Sequence, residues 1–202
     1  MSAIKCHWLG LCHYEETLEK QLEAHDAVLR GGPDQIFGVE HPAVITLGKR
    51  GGVIRKENRA PVVQIGRGGL ATAHEPGQLV IYPIVHLERR KIAVRSFVCL
   101  LEQMVMDWIS ALSLSPRRST SPGIWIGEKK VCSVGLQIKR GVALHGIAIN
   151  IHNSLGTFLH IEACGLPQSP MGTLSQLHPN PPHCETAFQG LSSILVDRIE
   201  NI

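Results

Sequence analysis

Cys164 is the residue of this sequence whose neighbours best suit nucleophilic chemistry. It stands between Ala163 and Gly165, so no bulky sequence neighbour shields its sulfur. Three polar segments marked by glycine precede it, at residues 67–78, 127–135 and 145–150. Together they offer a cation that could lower the pKa of a thiol and backbone that can approach a ligand closely. This combination indicates covalent acyl transfer through a thioester.

The first polar segment, residues 67–78, reads Arg-Gly-Gly-Leu-Ala-Thr-Ala-His-Glu-Pro-Gly-Gln and joins two predicted strands. Its glycines would let backbone N–H groups approach a ligand carbonyl or an anion. The spacing matches neither a phosphate-binding P-loop nor a dinucleotide-binding fingerprint. An ordinary glycine-rich connection is the alternative interpretation.

The second segment, residues 127–135, reads Gly-Glu-Lys-Lys-Val-Cys-Ser-Val-Gly. Side chains of a strand alternate between faces. The predicted faces are Lys130, Cys132 and Val134 on one side, and Lys129, Val131, Ser133 and Gly135 on the other. A lysine in a buried strand is costly unless it has a partner, which favours a functional role. The alternative is a solvated turn at residues 128–130.

The third segment, residues 145–150, reads His-Gly-Ile-Ala-Ile-Asn. Alternation predicts one face with His145, Ile147, Ile149 and Ile151, and another with Gly146, Ala148 and Asn150. The second face carries almost no side-chain bulk, which suggests that a ligand fills the space. Close packing of a helix on that face is the alternative.

Composition narrows the class of protein. The chain has 202 residues, 44% of them apolar and 18% charged, as expected for one globular domain spanning 1–202. A net charge of +3 and 4% aromatic residues argue against nucleic-acid binding. We see no signal peptide and no membrane-spanning run, and we expect a cytoplasmic protein whose six cysteines are reduced. The Cys-His pairs at 6–7, 12–13 and 183–184 lack zinc-site spacing, so we expect no metal.

Periodicity predicts an α/β (α+β) domain with a mixed sheet flanked by helices. Predicted helices cover residues 14–30, 92–112, 157–161 and 190–202. The first is expected to bury Leu18, Leu22 and Leu29. Predicted strands cover residues 36–39, 43–47, 61–65, 79–85, 124–126, 131–139 and 142–151. The last two should form a hairpin around Arg140-Gly141. Segments 115–123 and 177–184 are predicted to be irregular.

Taken in order, these motifs resemble the lipoyl(octanoyl) transferase family of lipoate biosynthesis. The family's Arg-Gly-Gly loop running to His-x-Pro-Gly-Gln appears as residues 67–78, and its Gly-x-Lys-Lys and Ser-x-Gly segment as residues 127–135. Its His-Gly-x-Ala-x-Asn strand appears as residues 145–150, and its Cys-Gly step as Cys164-Gly165. The family usually has Tyr, Gly and Pro where this sequence has Ala73, Glu75 and Ala163.

The resemblance implies a fold similar to that of biotin and lipoate protein ligases. It implies that Cys164 carries the acyl thioester and that Lys130 activates it, without a cofactor. The implied substrate-binding residues are Arg67, Gly68, Gly69, Leu70, Ala71, Thr72, Ala73, His74, Ser133, Val134, Gly135, Gly146, Ile147 and Ala148.

The resemblance also implies the partners. Octanoyl-acyl carrier protein would donate the acyl group, and lysines of lipoyl domains, in 2-oxoacid dehydrogenases and the glycine cleavage H protein, would accept it. We expect a monomer that binds neither nucleic acid nor membrane. Two alternatives stay open from the sequence: an ATP-dependent lipoate or biotin protein ligase, and a non-catalytic protein that binds acyl carriers or lipoyl domains.

Overall fold

The structure is a computed structural model that describes residues 3–119, 123–162 and 170–202. Its strands are β1 (Lys5–Leu11), β2 (Gln35–Glu40), β3 (Val44–Leu47), β4 (Val62–Gln64), β5 (Ala71–His74), β6 (Gln78–Ile84), β7 (Pro116–Arg118), β8 (Ile124–Ile126), β9 (Lys129–Lys139) and β10 (Val142–Asn150). Its α-helices are α1 (Tyr14–Leu29), α2 (Val94–Ala111) and α3 (Cys184–Glu200). Short 3₁₀ helices cover Thr157–His160 and Leu174–Gln176. None of the helices in these described ranges is both long and apolar enough to cross a membrane.

A seven-stranded sheet forms the centre, in the order β1-β2-β6-β10-β9-β8-β7. Strands β1 and β2 pair in parallel, and the other neighbours pair antiparallel. A second sheet has the order β4-β3-β5, with β3 and β4 parallel. The predicted α/β architecture with a mixed sheet is therefore confirmed.

Helices cover both faces of the large sheet because its central strands are apolar on both sides. Leu79 and Ile81 of β6 lie in the core formed with α2 and α3. Val80 and Tyr82 of the same strand lie in the core formed with α1. Burial on two faces makes β6 a nearly continuous apolar run, as its sequence predicted.

The hairpin between β9 and β10 is confirmed. Arg140 and Gly141 have φ angles of 52° and 78°, so two consecutive residues are left-handed. This backbone is typical of a two-residue turn whose twist matches that of the flanking strands. The turn sets the register that pairs Gly146 with Gly135, which brings the second and third polar segments side by side.

The buried face of α1 is the predicted one only in part, because Leu18 and Leu29 pack against the core and Leu22 does not. Leu22 is 40% exposed, and the helix instead buries Tyr14, Thr17, Gln21, Ala24, His25 and Val28. The spacing is helical, but several of the buried side chains are polar because the sheet supplies partners for them. Gln21 Oε1, for instance, accepts a hydrogen bond from the His145 N–H at 3.0 Å. Hydrophobicity alone therefore missed the polar part of the buried face.

Four other boundaries also differ. Strand β1 was not predicted, because its partner β2 lies beyond a whole helix. Strand β7 lies within the predicted irregular segment 115–123, and α3 begins at Cys184 rather than at residue 190. The predicted buried strand 61–65 is an edge strand of the small sheet, with Val62 44% exposed.

Candidate active site

A cavity of about 150 Å³ opens on the α1 side of the large sheet. The predicted binding residues that line it are Arg67, Gly68, Gly69, Leu70, Ala71, Thr72, His74, Ser133, Val134, Gly135, Gly146, Ile147 and Ala148. Ala73 is the exception, because it packs with Ile45 and Phe158 in a separate small core. Three segments distant in sequence thus meet around one space, and their role in binding an acyl chain stays a prediction.

Other residues of the cavity wall were not predicted: Tyr14, Arg50, Ile65, Val80, Tyr82, His145, Phe158 and Met171. Most of them lie outside the three motifs and reach the cavity wall only through the tertiary fold. Tyr14 could have been predicted to face the sheet, because it lies seven residues, or about two helical turns, before Gln21 on the same buried side of α1.

The buried Arg67 side chain holds the first polar segment in place through hydrogen bonds to its backbone. Its Nη1 donates hydrogen bonds to the carbonyls of Gly68 at 3.0 Å and Leu70 at 2.8 Å. Its Nη2 donates to the Thr46 carbonyl at 2.8 Å and the Thr46 hydroxyl at 3.0 Å. A Cβ at Gly135 would lie 2.9 Å from Arg67 Cδ, so this glycine makes room for the side chain. Burial lowers the pKa of Arg67 from its usual value, but the guanidinium remains a cation on the cavity wall.

The third polar segment has an irregular backbone at its start. His145 has a φ angle of 58°, an uncommon value for a residue with a side chain. Its side chain lies on the α1 side, where Nδ1 is 3.5 Å from the Tyr14 hydroxyl. The prediction that His145 shares a face with Ile147 and Ile149 is therefore wrong, since those two lie in the core with α2 and α3.

Gly146 is required by the approach of a neighbouring strand. A Cβ at this position would lie 1.9 Å from the Ile81 carbonyl oxygen and 2.8 Å from Pro83 Cδ. No side chain fits there, whether or not a ligand is bound. The unfilled face of β10 therefore has two causes: β6 excludes a side chain at Gly146, and the cavity lies over Ala148.

Histidines near the cavity are neutral at pH 7. Burial lowers the pKa of His41 to about 4, of His74 to about 3 and of His145 to about 4, from 6.5. His41 Nδ1 donates to the Cys12 carbonyl at 2.8 Å, so its Nε2 accepts from the Tyr82 hydroxyl at 2.9 Å. Among the described lining residues, the charged side chains are those of Arg50, Arg67 and Lys130. All three are cations, so the wall favours a thiolate or an oxyanion.

Lys130 is buried at this wall, with 5% of its surface exposed. Its N–H donates to the Pro170 carbonyl at 2.8 Å, and its carbonyl accepts from the Gly172 N–H at 3.0 Å. The lysine is therefore fixed beside the point where the described chain resumes after residue 169. The predicted nucleophile Cys164, together with Ala163, lies outside the described residues. Of the alternative solvated turn at 128–130, only Glu128 is an exposed turn residue, since Lys129 is exposed but begins β9 and Lys130 is buried.

The predicted faces of the second segment are wrong because β9 contains a bulge. Pairing with β8 passes from Ile124–Cys132 to Trp125–Lys130, so Val131 is an extra residue. Val131 and Cys132 consequently both lie in the core with α2 and α3. Lys130 lines the cavity together with Ser133 and Gly135, from which strict alternation had separated it.

A chain of side-chain hydrogen bonds joins the first and third segments to the backbone near Lys130. His74 Nδ1 donates to Gln78 Oε1 at 2.7 Å, and Gln78 Nε2 donates to Asn150 Oδ1 at 2.8 Å. Asn150 Nδ2 then donates to the Gly172 carbonyl at 3.1 Å. These buried, mutually satisfied amides hold the residues after 169 against the cavity wall.

Glu75 lies away from the cavity wall. Its carboxylate accepts hydrogen bonds from the N–H of Thr157 at 2.8 Å, from the N–H of Leu155, from Asn153 Nδ2 at 3.2 Å and from Ser154 Oγ at 3.3 Å. One buried side chain thus fixes the whole turn 153–157, which leads to Phe158 in the cavity wall. Glu75 stands where the lipoyl(octanoyl) transferase family usually has Gly, and here its carboxylate holds residues 153–157 in place.

We expect Glu75→Gln to lower the free energy of unfolding by about 1–3 kcal/mol, because an amide NH₂ would face donors that now share a carboxylate. Urea unfolding followed by circular dichroism measures this change. Ser154→Ala is the matched control and should cost less, since it removes only one of the donors. An unchanged urea midpoint for Glu75→Gln would contradict the anchoring role.

Comparison with known proteins agrees with this geometry. Residues 13–193 match the model of the lipoyl protein ligase A/B catalytic domain. An octanoyltransferase of Citrobacter koseri is 39% identical over 190 residues, which cover 93% of this chain and 89% of that protein.

Solved structures share the fold at low sequence identity. A putative lipoate protein ligase of Thermoplasma acidophilum with bound lipoic acid has a TM-score of 0.73 and 14% identity, covering 98% of this chain and 87% of that one. The Aquifex aeolicus biotin protein ligase in complex with biotin and ATP has a TM-score of 0.60 and 10% identity, covering 98% and 71%. The predicted similarity to lipoate and biotin protein ligases is confirmed.

The fold is the one that lipoate and biotin protein ligases share, and the chain belongs to the lipoyl protein ligase A/B catalytic domain family. Within that family its curated relatives are octanoyltransferases, so the membership predicted from the four motifs is confirmed.

Proposed function

We propose that this protein transfers an octanoyl group from octanoyl-acyl carrier protein to a lysine of lipoyl domains, through a thioester on Cys164. The observation that carries the proposal is the position of Lys130. It is a buried cation in the wall of a cavity that Ala148 and Ile147 also line. Its backbone is hydrogen-bonded to the backbone of Pro170 and Gly172. A cation beside an apolar cavity suits an enzyme that must stabilise a thiolate and hold an acyl chain.

The first half-reaction forms the acyl-enzyme. The ammonium of Lys130 favours the thiolate of Cys164, which attacks the carbonyl carbon of the donor thioester. A tetrahedral oxyanion forms, stabilised by backbone N–H groups of the glycine-containing segments and by the positive wall. When it collapses, the carrier's thiolate leaves and takes up a proton. One thioester bond has formed and one has broken, so the step is nearly balanced in energy.

The second half-reaction forms the product. A neutral lysine ε-amine of the lipoyl domain attacks the Cys164 thioester. The released Cys164 thiolate takes up the proton that the amine loses, or Lys130 does so after its ammonium has given a proton to the departing carrier thiolate. The change from a thioester to an amide is downhill, so the reaction requires no ATP. We propose that residues 1–202 carry out both steps as one catalytic domain and as a monomer, in the cytoplasm, where thiols stay reduced.

Intact-mass spectrometry after incubation with octanoyl-acyl carrier protein tests the proposal. We expect one octanoyl mass on the enzyme, labile to hydroxylamine and mapped to Cys164 by peptide analysis. Transfer to a lipoyl domain should then remove it. Octanoyl incorporation from free octanoate that depends on ATP would instead identify a ligase, and binding without acylation would identify a non-catalytic protein.

Acyl-chain preference should depend on Ala148. The added atoms of Ala148→Leu would occupy the cavity over β10, so octanoyl transfer should fall roughly tenfold or more while transfer of a four-carbon chain persists. Competition between butanoyl and octanoyl donors measures the preference.

Ala143→Leu is the matched control, because Ala143 lies on the same strand but in the packed core with α2 and α3. Overpacking there should cost about 1–3 kcal/mol of stability and leave the preference unchanged. If Ala148→Leu behaves like this control in melting temperature and in preference, the cavity over β10 does not hold the acyl chain.

A further inference from the structure

A basic segment, residues 49–59, lies next to the cavity. It contains Lys49, Arg50, Arg55, Lys56 and Arg59, all exposed, and Glu57 as its single carboxylate. The entire chain has a net charge of only +3. Positive charge is therefore concentrated in this short stretch, which none of the motif interpretations used.

The backbone of the basic segment is tied to the site at two places. At its start, the N–H of Lys49 donates to the Arg67 carbonyl at 3.0 Å and the N–H of Arg50 to the Gly69 carbonyl at 3.2 Å. Further along, the N–H of Arg55 donates to the His160 carbonyl at 2.8 Å, and the Val53 carbonyl accepts from the Glu162 N–H at 3.2 Å. The segment thus runs from the cavity wall to the residues just before 163, and Arg50 itself lines the cavity.

The cationic side chains of this segment are exposed to solvent. Within the described part of the chain, Lys49, Arg50, Lys56 and Arg59 form no ion pair with a carboxylate. Clustered exposed cations next to a cleft create a field that raises the association rate of anionic partners. An acidic partner would therefore be drawn to the side of the cavity that the basic segment borders.

We propose that the basic segment docks the acyl donor, and that the donor is a protein with an acidic surface around its thioester arm. This rests on the acyl transfer proposed above. The acceptor fits the segment less well, because its reacting lysine is itself a cation in solution and a positive rim disfavours its approach. The cations are also spread along the segment, as an extended acidic protein surface requires, whereas a single phosphate needs only one or two converging groups.

A double charge reversal, Lys56→Glu with Arg59→Glu, tests the proposal and leaves the cavity-lining Arg50 intact. The matched control is Lys5→Glu with Lys139→Glu, which makes the same charge change at two exposed positions of the large sheet. The rate of acyl-enzyme formation is measured by intact mass with three donors: octanoyl-acyl carrier protein, octanoyl-CoA and octanoyl-pantetheine.

We expect kcat/KM for the carrier-protein donor to fall roughly tenfold or more in the test variant, mainly through KM, and to lose most of its salt dependence. The rates with octanoyl-pantetheine and octanoyl-CoA should stay within about twofold of the wild type, because neither brings an acidic protein surface. The control variant should keep a carrier-protein rate close to that of the wild type.

Other outcomes overturn the docking surface in distinguishable ways. Equal losses in the test and control variants would show an effect of net charge alone. A matching loss with octanoyl-CoA would show that the segment binds a phosphate and not a protein surface. A loss confined to transfer onto the lipoyl domain would assign the segment to the acceptor. If the wild type is acylated by none of the three donors, the proposed function itself fails, and the docking surface fails with it.

Discussion

Cys164→Ser should form no acyl-enzyme and should transfer octanoyl groups about 10³-fold more slowly than the wild type, or worse. The physical reason is acidity. A thiol with a pKa of about 8.5 needs its pKa lowered only modestly to become a thiolate at neutral pH. A serine hydroxyl next to the same lysine remains protonated. Intact mass after incubation with donor and a gel-shift assay of lipoyl-domain acylation measure the two effects.

Cys99→Ser is the matched control for this experiment. Cys99 is exposed on α2 and takes no part in the cavity, so its replacement should leave both acylation and transfer unchanged. Full transfer by Cys164→Ser, or an octanoyl mass mapped to Cys99, would rule out the thioester on Cys164.

Lys130→Ala should have the second largest effect. A neighbouring ammonium lowers the pKa of a thiol by about 1–3 units, so its loss should move the pH profile of Cys164 alkylation upward by a similar amount. At pH 7 the thiolate fraction would fall from roughly 25–95% to about 3%, which corresponds to an about 8- to 30-fold slower acylation. The measurement is the rate of iodoacetamide labelling against pH, read at the Cys164 peptide.

Two variants separate charge from packing in this test. Lys130→Met keeps the aliphatic bulk of the buried side chain and should match Lys130→Ala in its pH profile. Lys129→Ala should leave the profile unchanged, because Lys129 is exposed and absent from the cavity wall. Equal shifts for Lys129→Ala and Lys130→Ala would show that general surface charge, rather than the buried lysine, governs the thiol.

Local patterns in the sequence predicted much of the fold. The predicted helix 92–112 is present as α2, whose apolar Phe97, Leu101 and Val105, spaced four residues apart, are fully buried. The Arg140-Gly141 pair predicted the hairpin, because such a turn needs two left-handed residues in succession. These features depend on neighbours within a few residues, so the order of side chains along the chain determines them.

Three of the four motifs contain residues that meet in the structure. The glycines at 68, 69, 135 and 146 and the cations at 67 and 130 all line one cavity. The residue types indicated function, because buried cations and glycines at strand ends are costly or weakly stabilising unless they serve a ligand. The motif order therefore indicated the family before any contact was known.

Tertiary structure alone decided the orientation of several of these residues. The bulge at Val131 arises from the pairing of β9 with β8, and it turns Lys130 toward the cavity. The polar face of α1 is stable because the His145 N–H, 124 positions along the chain, bonds to Gln21. Glu75 is an anchor because a turn that lies about 80 residues later supplies its donors.

The physical distinction is between local and long-range terms. Periodicity, turn residues and residue type are local, so the sequence by itself determined most of the elements, the hairpin and much of the composition of the cavity wall. A strand's register shift, a left-handed φ at His145 and the partner of a buried carboxylate each depend on atoms brought together only by folding. Those terms decided which way Lys130, His145 and Glu75 point, and therefore which of them lie in the cavity wall.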